Sequence, residues 1–297
     1  MNQGSNLDIE SLPDRKKKEI EHTKRRRSLV SGYEYYTDTH KDNEQLKYVG
    51  NEEEYSANFS NMKYYSISRS SFAYRDSLLY ENINNKVALD YCCGSGEICL
   101  EMVKNGAKEV YGIDISEVAT NNSTTLARES GVGDKCTFQV MDAEHLTYSD
   151  NTFDLIHEYG ALHHLELEAA FRETSRVLKP GGKFVCTEAL RHNPIIHWYR
   201  SMTINGSAWM GRTVYLRTQY EFEHILGVPE IMLGKKYFEN VSIRFFHLFA
   251  LAAVPFRKYF FFSFLLKLLV SLDNILLRIP YIQRLAWVAD IEYSNPR

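Results

Sequence analysis

The chain has 297 residues, a formal charge of −3, 44% hydrophobic and 25% charged side chains. That length holds one large domain with additions or two small ones, and it buries a sizeable core without difficulty. The near-neutral charge argues against nucleic-acid binding, which calls for a markedly basic domain. Aromatic residues are the compositional peculiarity, with 20 Tyr and 16 Phe. Five cysteines, an odd number with no Cys-x-x-Cys pair, give no sign of a zinc or redox site. The polar stretch Met1–Asp14 does not read as a secretion signal, so a reducing, cytoplasmic setting is expected.

The charged stretch to about Lys41 carries two basic clusters, Arg15–Lys18 and Lys24–Arg27, on an expected helix. Charge patterning reads it as a solvated arm. The sharper alternative is contact with anionic lipid or a phosphate-bearing substrate. Tyr33–Tyr80 suggests short, tyrosine-rich helices. The first strong strand is Lys86–Cys92, apolar at its centre as a buried parallel strand should be. Gly94-Ser95-Gly96 then opens a helix reaching about Asn105.

A second strand, Glu109–Ile113, ends in Asp114, and Ser116 is placed to cap a helix over Glu117–Glu129. Strands are expected at Cys136–Val140, Phe153–His157 and Lys183–Thr187, with a helix at Glu166–Leu178 stopped by Pro180-Gly181-Gly182. Strands alternating with helices at this spacing predict a parallel sheet with right-handed crossovers. Beyond Glu188, helices are expected at His192–Met202 and Gln219–Leu226, and strands at Tyr237–Phe246 and Leu285–Tyr293. Between those strands lies Leu248–Ile279, apolar and helical in pattern. Arg257, Lys258, Lys267 and Pro255 interrupt it, which excludes a membrane span of about 20 apolar residues. It reads as a lid, a surface resting on a membrane, or a plain packing layer.

The chemistry gathers at the carboxyl ends of the expected strands, where open α/β sheets bind ligands. Asp90 closes the first strand just before the glycines, Asp114 ends the second, and Asp142 follows the third. A carboxylate after the second strand suits two ribose hydroxyls. Asp142 suits the amino group of adenine, and Asp90 suits a cationic amine. A nicotinamide dinucleotide fold instead wants G-x-G-x-x-G/A, where this chain has Cys99, and has no need of an acid beside a pyrophosphate.

The pieces ALDYCCGSG, VYGIDIS, MDAEHL, FDLIHEYGALHHL and RVLKPGGKFVCTE, in this order, resemble the core of the class I S-adenosylmethionine (SAM)-dependent methyltransferases, in their small-molecule branch. The resemblance implies an α/β fold, a Rossmann-like, seven-stranded and mostly parallel sheet with the last strand antiparallel. Three regions follow: residues 1–80 an arm and helical cap, 81–190 the SAM-binding core, and 191–297 substrate-side helices, the apolar insertion and the last two strands. It also implies that Asp90, Cys92, Gly94 and Gly96 form the cofactor loop and that Asp114 and Ile115 meet the ribose side. Asp142 and Ala143 then take the adenine, Glu158 flanks the methionine end, and Tyr64 and Tyr65 cover the cofactor. Cys92 departs from the pattern, because relatives usually carry Gly there.

Methyl transfer is an in-line displacement that needs alignment and, for oxygen acceptors, a base. His163, His164 and Glu188 are the candidates at the acceptor side. Each also has an ordinary structural use, as a helix cap, a packed ring or an ion-pair partner. Two adjacent histidines do not make a metal cage, so no metal is expected. The acceptor read from this sequence is a small lipophilic molecule such as a lipid, isoprenoid or other natural product, with peripheral membrane contact as an accompanying expectation. The alternatives are a binding protein that kept the fold without turnover, and a methyltransferase acting on protein or nucleic acid.

Overall fold

The computed structural model describes residues 7–28, 30–31, 47–48, 60–193 and 225–297. The sheet strands are β1 (Val87–Tyr91), β2 (Glu109–Asp114), β3 (Cys136–Val140), β4 (Phe153–Tyr159), β5 (Leu178–Ala189), β6 (Phe238–Phe246) and β7 (Val288–Pro296). They form one seven-stranded sheet in the order β3-β2-β1-β4-β5-β7-β6. The pairings among β1 to β5 are parallel, and β7 runs antiparallel to both neighbours. The chain order reverses on either side of β1, which places the ligand crevice at the carboxyl ends of β1, β2 and β4.

The helices are α1 (Asp14–Ser28), α2 (Arg69–Tyr80), α3 (Glu97–Lys104), α4 (Glu117–Glu129), α5 (Leu167–Val177) and α6 (Phe262–Leu276). Alternate residues of each strand feed opposite faces of the sheet. Ala88, Val110, Leu155 and Val185 pack with Leu79 of α2 and with Cys99 and Met102 of α3. Leu89, Ile113, Ile156 and Phe184 pack on the other face with Phe171 of α5. Much of the aromatic content lies there: Tyr293 stacks on Phe184, tilts against Phe171 and Phe238, and donates its hydroxyl to the Ile231 carbonyl. A Cβ on Gly234 would lie 2.3 Å from the Tyr293 ring, so glycine is required under it.

The expected elements are present with shifted ends. The helix expected at Glu166–Leu178 runs Leu167–Val177, because Glu166 caps it by accepting from the amides of Glu168 and Ala169. The fifth strand begins at Leu178 rather than Lys183; Gly181, at φ +77°, turns the chain within it. The apolar stretch Leu248–Ile279 is two pieces, a 3-10 helix Ala250–Phe256 and α6. Pro255 lacks the N–H that a continuous helix would need there. The last strand starts at Val288, after a 3-10 turn at Gln283–Leu285. Most of the helices expected at His192–Met202 and Gln219–Leu226 lies outside the described residues; Leu226 bridges to Leu190 instead of ending a helix. No described helix is long and apolar enough to cross a membrane.

Candidate active site

The loop after β1 is tied from three sides. Cys93 donates its amide to the Ile113 carbonyl, Gly96 to the Cys93 carbonyl, and Ser123 of α4 its hydroxyl to the Gly94 carbonyl. Gly96 stands at φ +80° as the residue before α3, and a Cβ there would lie 2.8 Å from that of Ser123. Cys92, where relatives carry Gly, also adopts a left-handed conformation at φ +62°. For a residue with a side chain this costs about 1 kcal/mol.

Asp114 lies at the end of β2 with its carboxylate turned onto this loop. It accepts from the Gly94 amide at 3.0 Å and the Ser116 amide at 2.9 Å. Each carboxylate oxygen accepts more than one bond, so capacity remains for a diol. Ile115 follows, half-buried. Asp90 is buried, with Oδ1 2.7 Å from His157 Nδ1 and Oδ2 3.4 Å from Cys99 Sγ. Its oxygens are thus engaged inside the core, which fixes β4 beside β1.

The carboxylates after β3 are not bare. Asp142 accepts from the Glu144 amide, lies 3.2 Å from His145 Nδ1, and is 2.5 Å from Lys16 Nζ. Lys16 also reaches Glu144 at 2.7 Å, and Arg15 bonds Glu144 at 2.5 Å and the His164 carbonyl at 2.7 Å. Burial pushes the pKa of both carboxyls up, but these donors outweigh it and hold them below the ordinary value. At Arg15 and Lys16 the basic stretch is therefore not solvated: Lys16 is buried, and two buried carboxylates draw these two residues inward, whereas Lys24 and Arg25 are exposed. Beside them, a cavity of about 460 Å³ is lined by residues including Leu12, Lys16, Met141, Asp142 and His145. Ala143 lies between the two acids and accepts the Tyr91 hydroxyl on its carbonyl.

The ends of β4 and β5 look different. Glu158 ends β4 fully buried and accepts from the amides of Ala161 and Leu162. Burial and the Glu188 charge beside it push its carboxyl pKa well above the usual range. Glu188 at the end of β5 is also buried, with Oε2 2.8 Å from Nδ1 of His163. Glu158 Oε2 and Glu188 Oε1 have no hydrogen-bond partner among the described residues. His164 packs tilted against His163, with ring centroids 4.1 Å apart, and lies 3.7 Å from Glu19 of α1. Burial and then the neighbouring His163 lower its pKa to about 4, so it is neutral near pH 7.

The structure thus joins His163 to Glu188 and turns His164 toward α1. Tyr64 packs against Trp287 at 5.0 Å, and Tyr65 against Phe72 at 6.4 Å; Phe72 in turn meets Tyr159, next to Glu158. Residues that pattern reading passed over are Lys16, Arg15 and Glu144, and a second buried group at the end of β5. There Thr187 donates to Asp290 at 2.7 Å, and burial raises the Asp290 pKa to about 7. The signal for the first set was available: MDAEHL places Glu144 two residues after Asp142, a doubled negative charge that demands a cation.

Comparison with known proteins agrees with this architecture. A family profile described as "Methyltransferase domain" matches residues 89–186. The ubiquinone/menaquinone biosynthesis C-methyltransferase of Rickettsia prowazekii is 35% identical over 179 residues, 55% of this chain and 72% of that protein. The demethylmenaquinone methyltransferase of Lactiplantibacillus plantarum is 29% identical over 183 residues, 57% of this chain and 77% of that protein. Among solved structures, geranyl diphosphate C-methyltransferase from Streptomyces coelicolor A3(2) has a similar fold, with TM-score 0.54 and 14% identity over 79% of this chain and 84% of that one.

The chain belongs to the class I SAM-dependent methyltransferases, and SAM is its methyl donor. Its residues fit that donor. Glu158 Oε2 and Glu188 Oε1, buried and without a hydrogen-bond partner among the described residues, have the acceptor chemistry that a cationic sulfonium or ammonium calls for.

Proposed function

We propose that the protein methylates a small lipophilic acceptor of the lipid, isoprenoid or quinone kind, with His163 as the base that Glu188 positions. Bound SAM supplies an electrophilic methyl group on its sulfonium. The observation that carries the reading is the setting of the His163–Glu188 pair. Leu190, two residues past Glu188, is buried and bonded to Trp287, which packs on Tyr64. Glu188 of the pair is thus two residues along the chain from a buried apolar residue joined to an aromatic cluster, the kind of lining a greasy acceptor requires.

An ionised Glu188 can only accept, so it selects the His163 tautomer protonated at Nδ1, in which Nε2 carries the lone pair that takes the acceptor's proton. His164 stays neutral beside it and adds no repelling charge. Asp142 with Ala143 is assigned to the adenine, Asp114 with Ile115 to the ribose side, and Glu158 to the methionine end. Asp90 acts from behind, by fixing β1 to β4. The two relatives named for quinone methylation support the acceptor class. A cytoplasmic location, with the protein touching a membrane from outside, suits such an acceptor.

The test is transfer from methyl-labelled SAM into a host extract, followed by partition. Label in the organic fraction supports the reading and yields the product. Label confined to the aqueous or macromolecular fraction overturns it.

A further inference from the structure

Helix α6 is apolar on two faces, and only one of them is used. Its inner residues, Phe262, Leu265, Leu266 and Leu269, pack on Ile67, Ala253 and Val254. Asp273 ties the same side down by accepting from the amides of Leu248, Phe249 and Ala250. The fold therefore has no further need of apolar residues on this helix. Yet Phe260 is 98% exposed, Phe264 75%, Ile275 66% and Tyr281 82%, with Leu268 between them also exposed. The spacing 264, 268, 275 keeps three of these residues on one stripe of α6, and Phe260 lies in the turn just before the helix. A contiguous exposed patch of this kind marks an interaction surface.

The charges around the stripe identify what it meets. Arg257, Lys258, Lys267, Arg278 and Arg284 are all exposed, and none is paired with a carboxylate among the described residues. The single acid from residue 249 to residue 286 is the buried Asp273, so this segment is strongly positive in a chain of formal charge −3. Large aromatic and aliphatic groups ringed by lysine and arginine, on a helix too short to span, fit the headgroup layer of a bilayer. The positive excess fits one rich in acidic phospholipids.

We infer that the outer face of α6 docks the enzyme on an anionic phospholipid bilayer, with Phe260 and Phe264 entering the interface and the flanking cations meeting lipid phosphates. This rests on the lipophilic-acceptor reading for its purpose. The inner side of the same helix packs with Tyr64 and Trp287, so the docked face and the apolar wall of the site are two sides of one layer.

The experiment is co-sedimentation of the full chain with vesicles of phosphatidylcholine alone and of phosphatidylcholine mixed with phosphatidylglycerol. Partition into the mixed vesicles is expected to be about tenfold stronger and to fall as salt is raised. Phe260→Ser with Phe264→Ser should weaken it about tenfold, and Lys258→Glu with Lys267→Glu should remove the preference for anionic lipid. Both pairs are exposed and distant from the site carboxylates, so SAM affinity measured by calorimetry should not change. Absence of binding, equal binding to both vesicle types, or binding insensitive to both double variants would overturn the proposal. So would a dimer in sedimentation equilibrium that the Phe260/Phe264 variant dissolves, since a second copy would then cover the face. No acceptor or turnover enters this measurement, so its failure is separable from failure of the labelling experiment.

Discussion

Two pairs of acidic residues line the same sheet edge and are treated in opposite ways. Asp142 and Glu144 are met by Lys16 and Arg15 and are held ionised. Glu158 and Glu188 are buried more deeply and have no Lys or Arg partner among the described residues, and Glu158 is driven toward its protonated form. The chain thus supplies cations to the first pair and none to the second. Charge compensation and depth of burial together distinguish the end proposed to hold the donor from the end proposed to react.

The largest expected effect strikes the reacting end. His163→Ala should lower kcat at least about a hundredfold, the usual scale for losing a general base, while SAM affinity changes little. His164→Ala should cost much less. Equal losses in steady-state kinetics would remove the assignment of His163. Asp114→Ala belongs to neither pair and serves as the reference: loss of charge-assisted bonds to the ribose should weaken SAM binding about tenfold by calorimetry. Unchanged affinity would mean that the ribose is held elsewhere.

Lys16→Met leaves Asp142 without its cation and should cost about 2 kcal/mol in urea unfolding, less than a fully stranded buried charge because His145 and the Glu144 amide remain. The pH dependence sharpens the contrast. Asp142 and Glu144 have lowered pKa values. Their contribution to stability is complete above the unfolded carboxyl range near about 4 and is lost as pH falls through the lowered values. Glu158 is raised, so its contribution is complete below about pH 4 and declines as pH rises from there. Urea midpoints measured from acid to neutral pH should show Lys16→Met flattening the acid limb and Glu158→Gln flattening the neutral one. A common effect of both variants on one limb would erase the distinction. The smallest effect belongs to Cys92→Gly, which should raise stability by up to about 1 kcal/mol by removing left-handed strain, partly offset by the freedom of glycine in the unfolded chain.

The parallel half of the fold was legible because its signals are local. The apolar centre of β1, the Ser116 cap and the helix stop before Pro180 each depend on a few neighbouring residues. The placement of Asp90, Asp114 and Asp142 at or just after strand ends was legible for the same reason. What pattern could not give was long-range. Lys16 lies 126 residues from Asp142 along the chain, and a basic cluster looks solvated until its acidic partners are brought beside it. The split of Leu248–Ile279 needed the position of Pro255 to be weighed against continuous apolarity, and the exposure of its outer stripe depends on which face the core has already taken.

The last two strands, β6 and β7, form a ladder that pairs Phe246 directly with Val288, and the Trp287 amide bonds the Phe246 carbonyl. Residues 247–287 therefore leave and re-enter the sheet at one point. Closing a longer loop adds little entropic cost once its ends are already held together. This junction is a grafting site: the excursion can be lengthened, shortened or replaced at two adjoining residues while every strand of the sheet keeps its place.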